Sequence, residues 1–176
     1  TLRDFGFGSK TGIDCPGETT GSLSSFKQWA KIDAGTISFG QGISVSALQL
    51  ATAASAIANE GVLMKPYIVQ AITDQNGRLL KSYEPLIVRR VVSEKTARTL
   101  VRIMQTVITK GGTGVKAAIE GYSVCGKTGT AQKIDEKGEY SDGKFISSFV
   151  GFAPAENSEV VILVVIDEPQ EEHYGS

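Results

Sequence analysis

The stretch Gly126-Lys127-Thr128-Gly129-Thr130-Ala131-Gln132, ahead of a β-rich segment over residues 145–169, decides how this chain reads. It sets one ammonium, two hydroxyls and two glycines into seven residues that otherwise have the pattern of an exposed strand. Side chains alternate along a strand, so Thr128 and Thr130 share one face while Lys127 and Gly129 share the other. Two hydroxyls spaced two residues apart can donate together to one carboxylate, and the positive charge of Lys127 strengthens those bonds. Gly129 has no side chain, so a substrate backbone can lie close against the strand. An extended peptide pairing with this edge also gains main-chain hydrogen bonds. The stretch offers many donors and no group that titrates near neutrality. Its chemistry suits gripping a carboxylate and an acyl group better than attacking one. As a bare tetrapeptide, Lys127-Thr128-Gly129-Thr130 reads equally well as an exposed strand with no function.

Working outward, three strands are expected in the last third, over residues 122–133, 145–152 and 159–166. The polar turn Asp135-Glu136-Lys137-Gly138-Glu139 joins the first two, and Pro154-Ala155-Glu156-Asn157 joins the last two. Connections this short force antiparallel neighbours. The third strand, with Val160-Val161-Ile162-Leu163-Val164-Val165-Ile166, is apolar on both faces and is expected to lie covered by helices. One such helix spans residues 46–61, with Ser46 as N-cap, an alanine-rich interior and Gly61 as a left-handed stop. Its small residues imply close packing and burial. A second starts at Ser93 and carries Ala97, Leu100, Val101, Met104, Val107 and Ile108 at helical spacing up to Gly111-Gly112. Between the helices, strands are expected over 67–73 and 79–83, joined by the turn Asp74-Gln75-Asn76-Gly77. Residues 1–42 are punctuated by glycine and read as loop with short helical turns. Helices segregated against an antiparallel sheet make the fold class α+β.

Composition bounds the rest. The 176 residues are 41% hydrophobic and 21% charged, with a formal net charge of −1. That near-neutral balance gives no reason to invoke nucleic acid or an anionic membrane surface as partner. The longest apolar run is far too short to span a bilayer. Cys15 and Cys125 cannot define a disulfide framework, and Cys125 reads as a small strand residue. The one histidine, His173, has no neighbours at metal-ligand spacing, so no metal is assigned. No cofactor is implied either. The acidic stretches Asp135-Glu136 and 168–172 read as solvated loops, and Trp29, Phe5 and Phe7 as packing rather than carbohydrate platforms.

Lys-Thr-Gly is one of the three motifs of penicillin-binding proteins and serine β-lactamases, beside Ser-x-x-Lys and Ser-Asp-Asn. The wider text resembles class B penicillin-binding proteins. The stretches that carry the likeness are Ser38-Phe39-Gly40-Gln41-Gly42-Ile43-Ser44-Val45, Leu48-Gln49-Leu50-Ala51 and Ala56-Ile57-Ala58-Asn59-Glu60-Gly61. Further matches are Lys110-Gly111-Gly112-Thr113-Gly114, residues 126–132, and Ser147-Ser148-Phe149-Val150-Gly151-Phe152-Ala153-Pro154. They occur in family order over nearly the whole chain, and within the class the text looks most like the cell-division (septal) branch. The resemblance implies a partial penicillin-binding, serine β-lactamase-like transpeptidase fold that cross-links peptidoglycan stem peptides and is acylated by β-lactam antibiotics. It implies that Lys127 helps bind the substrate carboxylate and polarises the Ser-x-Asn serine, and that Thr128 and Thr130 hold that carboxylate. The backbone N–H of Thr130 is then half of an oxyanion hole, and losing one such donor costs about 3–4 kcal/mol of transition-state stabilisation. It further implies a parent anchored in the cytoplasmic membrane, with this domain on the extracytoplasmic side among other cell-wall synthesis proteins.

The chain departs from the family at two of the three motifs. No Ser-x-Asn occurs in it. A Ser-x-x-Lys does occur, at Ser24-Ser25-Phe26-Lys27, but the chemistry needs a serine opening a buried helix with lysine one turn later. Here the continuation Gln28-Trp29-Ala30-Lys31-Ile32-Asp33 is half polar and breaks at Gly35. The pattern is read as coincidence. Residues 1–176 are therefore expected to be the C-terminal part of a transpeptidase domain, truncated at both ends and inactive alone, with nucleophile and anchor upstream. Two other readings stand beside this one. A serine β-lactamase-related protein also uses Lys-Thr-Gly, although Gly40-Gln41-Gly42 and Thr130-Ala131-Gln132 fit transpeptidases better. A non-catalytic binding module needs no nucleophile at all.

Overall fold

The structure is a computed structural model that describes residues 1–134 and 140–170. The turn expected over 135–139, His173 and the end of the acidic stretch lie outside the described residues. Three helices are described in chain order: α1 (Asp33–Ser38), α2 (Ala47–Ala58) and α3 (Glu94–Ile108). The strands are β1 (Val62–Met64), β2 (Ala71–Thr73), β3 (Leu79–Ser82), β4 (Ile87–Arg90), β5 (Cys125–Ile134), β6 (Tyr140–Ala153) and β7 (Val160–Asp167). Before α1, residues 1–32 run mostly as turns and bends, with one 3-10 turn at Phe26–Gln28.

The expected three-stranded antiparallel sheet is present in the order β5-β6-β7. Its register pairs Cys125 with Phe152, Thr128 with Phe149 and Thr130 with Ser147, and on the far side of β6 it pairs Phe149 with Val164. One face carries Cys125, Phe152 and Val161, which pack with Ala155 against Ile57 and Ala58 of α2 and Val101 and Met104 of α3. This is the core, and it explains the fold class: two amphipathic helices cover one face of the sheet.

Both long helices start where their caps say. The Ser46 hydroxyl accepts from the Gln49 amide at 3.1 Å, while Gln49 Oε1 accepts from the Ser46 amide at 2.9 Å, a reciprocal capping box. Gln49 is buried, and its amide group also donates to the carbonyls of Ser9 (2.8 Å) and Thr20 (2.9 Å). The Ser93 hydroxyl caps α3 by accepting from the Thr96 amide at 3.1 Å. Gly61 takes φ +84 beyond α2, where a Cβ would stand 2.3 Å from the Val92 carbonyl oxygen. No other residue fits that stop.

Three expectations change. The strand expected over 67–73 shortens to β2, because the Ile68 and Val69 amides donate to the Asp14 carboxylate (2.8 and 2.9 Å) instead of to a neighbouring strand. Those bonds, Val69's first, hold the Asp14 carboxyl below its usual range. A second small pair, β1 with β4, was not expected from the sequence. The expected cover on β7 is one-sided. Val161 and Leu163 are half-buried, while Val165 beyond them on that face and Val160, Ile162, Val164 and Ile166 on the opposite face are exposed, Ile162 to 59%.

Candidate active site

Among the described residues, strand β5 is an edge of its sheet, with β6 as its one neighbouring strand. Residues 127–130 lie in its middle, where the register is regular from Cys125 to Gln132. All four expected site residues therefore sit on one open edge, with Thr128 and Thr130 on one face and Lys127 and Gly129 on the other. Lys127 is exposed, and its ammonium donates to the neighbouring Thr128 carbonyl at 2.6 Å. Gly129 pairs with Ser148, whose hydroxyl lies 2.6 Å from where a Gly129 Cβ would be. A side chain at Gly129 would thus have to displace the Ser148 hydroxyl.

Gly126 has a different reason. A Cβ there would meet Phe149 Cζ at 2.5 Å and the Val150 carbonyl oxygen at 2.6 Å, and one on Gly151 would meet Phe149 Cε1 at 2.7 Å. The Phe149 ring fills the space left by these two glycines. The turn after α3 closes on the same ring: a Cβ on Gly114 would stand 3.2 Å from Phe149 Cε2. That turn carries Thr113, whose Oγ1 lies 2.8 Å from Thr128 Oγ1. Sequence reasoning gave Thr113 no role, although it lies in the glycine-rich Lys110-Gly111-Gly112-Thr113-Gly114 stretch.

Beyond the site, Lys133 continues β5 into an ion-pair cluster with Asp167 (2.9 Å) and Glu168 (2.8 Å) at the end of β7. Hydrogen bonding to Glu168, then to Asp167, holds the Lys133 ammonium above its usual range.

Ser24 does not open a buried helix. It is exposed, and Ser25 opens only a single 3-10 turn in which Phe26 and Trp29 meet edge to face at 5.3 Å. A second Ser-x-x-Lys, at Ser141 and Lys144, lies on β6, and its ammonium faces Glu168 at 3.7 Å. The chain also repeats Lys-Thr-Gly at residues 10–12, in a loop where the Thr11 and Gly12 amides donate to the Glu18 carboxylate. Burial opposes ionisation of Glu18, but the bonds from Thr11 and Gly12 outweigh it and keep its pKa low. The tripeptide alone therefore does not make a site. Residues 127–129 differ from residues 10–12 by their place on an edge strand of the sheet.

The β5 edge thus carries a glycine without a side chain, two hydroxyls on one face and one exposed ammonium. The family described as "Penicillin binding protein transpeptidase domain" matches residues 1–176, and the chain belongs to that family, in the class B penicillin-binding proteins. It is 41% identical over 170 residues to stage V sporulation protein D of Bacillus subtilis, covering 96% of this chain and 26% of that protein. It is 40% identical over 173 residues to the probable peptidoglycan D,D-transpeptidase PenA of Neisseria meningitidis, covering 98% and 28% respectively. The chain thus spans about a quarter of the length of these curated relatives. Among solved structures, penicillin-binding protein 3 of Mycobacterium tuberculosis in complex with ampicillin superposes with a TM-score of 0.90 at 36% identity, covering 99% of this chain and 40% of that one. Among the described residues, no helix is long and apolar enough to cross a membrane.

Proposed function

We propose that this chain supplies the substrate-binding edge of a peptidoglycan D,D-transpeptidase, a serine acyl-transfer enzyme that is also acylated by β-lactams. In this reading Lys127 and Thr128 bind the terminal carboxylate of a stem peptide, and Gly129 lets the peptide lie against β5. Thr130 adds its hydroxyl to the carboxylate and its backbone N–H to the oxyanion hole. The carboxylate is the feature shared by a D-Ala-D-Ala terminus and a penicillin, so one edge takes both.

The observation that carries the proposal is the open edge of β5, with its hydroxyls, glycine and ammonium in uninterrupted register. Family membership and the likeness to an ampicillin-binding relative support it. The attacking serine, its lysine and the Ser-x-Asn motif come, in this proposal, from parts of the protein other than these 176 residues. The protein then works anchored at the cytoplasmic membrane, on its outer side, in the division branch of cell-wall synthesis and beside other proteins of that machinery.

The test is a labelled-penicillin gel on the full-length protein and on this chain alone. Acylation of the full-length protein only, reduced about 10-fold to 100-fold in rate by Thr128→Val as expected for loss of a hydrogen bond to a charged group, supports the reading. Acylation of the short chain would mean that a local serine such as Ser24 is the nucleophile. Hydrolysis of a chromogenic cephalosporin faster than acylation by penicillin would point to a β-lactamase instead.

A further inference from the structure

We propose that Thr113 is a positioning residue for Thr128, an inference that rests on reading the β5 edge as the carboxylate-binding site. The two Oγ1 atoms are 2.8 Å apart, the usual distance of an O–H···O bond, although the residues are 15 apart in sequence. Two hydroxyls carry two protons, and the bond between them uses one. An arriving carboxylate is a far better acceptor than a neutral hydroxyl, because charge-assisted bonds are roughly twice as strong. The pair therefore settles with Thr113 donating to Thr128 and Thr128 donating to the substrate. Thr113 fixes the Thr128 rotamer and aims its proton outward before the substrate arrives.

The placement of Thr113 is built rather than incidental. The Gly112 amide donates to the Thr109 carbonyl and the Gly114 amide to the Val107 carbonyl, both at 2.8 Å, folding the turn onto the last turn of α3. A Cβ on Gly112 would stand 2.2 Å from the Val107 carbonyl oxygen, so the turn tolerates no side chain there. Gly114 abuts Phe149 and Ile108, and Phe149 is the register partner of Thr128. The same packing that seats α3 on the sheet thus brings one hydroxyl to another.

The experiment measures acylation of the full-length protein by a fluorescent penicillin across a concentration range, separating apparent affinity from limiting rate. The variants are Thr113→Val, which keeps the shape and removes the hydroxyl, Thr128→Val, and the pair together. Thr113→Val is expected to weaken apparent affinity about 3-fold to 10-fold, the size of one modest hydrogen bond, with the limiting acylation rate within about 2-fold. In the Thr128→Val background it should add nothing, since it acts through Thr128. A merely structural role predicts otherwise: a lowered melting temperature, and losses that multiply in the double variant. Either that pattern or a Thr113→Val protein matching the parent overturns the proposal while leaving the edge intact, provided Thr128→Val still weakens binding. If Thr128→Val changes nothing, the reading of the edge falls, and the role of Thr113 with it.

Discussion

At the scale of single residues, the two glycines flanking Lys127-Thr128 are not equivalent. A Cβ at Gly126 collides with an aromatic ring and a backbone oxygen, whereas one at Gly129 meets only the tip of Ser148, a side chain that can rotate away. Gly126→Ala is expected to cost about 1–3 kcal/mol of stability or more by overpacking, read as a loss in denaturant midpoint. Gly129→Ala should leave the midpoint nearly unchanged and instead slow acylation of the full-length protein, because the substrate backbone loses its close approach. Cys125, fully buried at the start of the same strand, makes a second prediction. Burial, with the nearby Glu156 charge, pushes its thiol up to about 12 from an ordinary value of 9.0. A raised pKa in the folded state means stability that is whole below pH 9 and is lost as the pH rises from there toward 12. Denaturation followed from pH 8 to 11 should show that loss in the native chain and not in Cys125→Ala. The alternation of Lys127, Thr128, Gly129 and Thr130 was legible because a strand has a period of two. The Thr113 contact was not, because sequence spacing does not say which distant hydroxyls meet.

At the scale of elements, legibility tracked local signals. Ser46 and Gly61 bracketed α2, and Ser93 with an apolar stripe marked α3, so both helices were readable with their caps. The β1-β4 pair was not, since strands of three and four residues leave no periodicity and Arg89 and Arg90 lack strand character. The expected strand over 67–73 failed at its first half for a reason outside that half: Asp14, more than fifty residues earlier, takes its amides. Gln49 likewise looked like one more polar residue in an alanine helix, yet it is a buried four-way junction of a capping box and two loop carbonyls. Gln49→Leu keeps the volume and removes the three bonds its side chain makes, leaving the residue 49 amide on the Ser46 hydroxyl. Losing these three bonds should cost about 2–4 kcal/mol, measurable as a lower melting temperature with no change in far-ultraviolet helix signal before the transition.

At the scale of the whole molecule, the sheet is finished on one face and open on the other. The core of Cys125, Phe152 and Ala155 lies under α2 and α3, while β7 presents Val160, Ile162, Val164 and Ile166 outward along an unpaired edge. Long apolar edges are templates for pairing with other chains. The 176-residue chain alone should therefore self-associate at micromolar concentration, and Val164→Lys should shift it toward monomer in sedimentation, because an edge lysine blunts such pairing. Covering of β7 on both faces was the natural expectation from its composition, and the three-dimensional arrangement corrects it, because helices reach only one side. The Gln49 junction also has a meaning in time. A ribosome releases Ser9 and Thr20 well before residue 49, so their carbonyls wait in solvent until the capping box of α2 emerges and closes on them. The loops that carry Ser9 and Thr20 are thus held only once α2 is made, so a protease should cut them faster in a nascent chain than in a completed one.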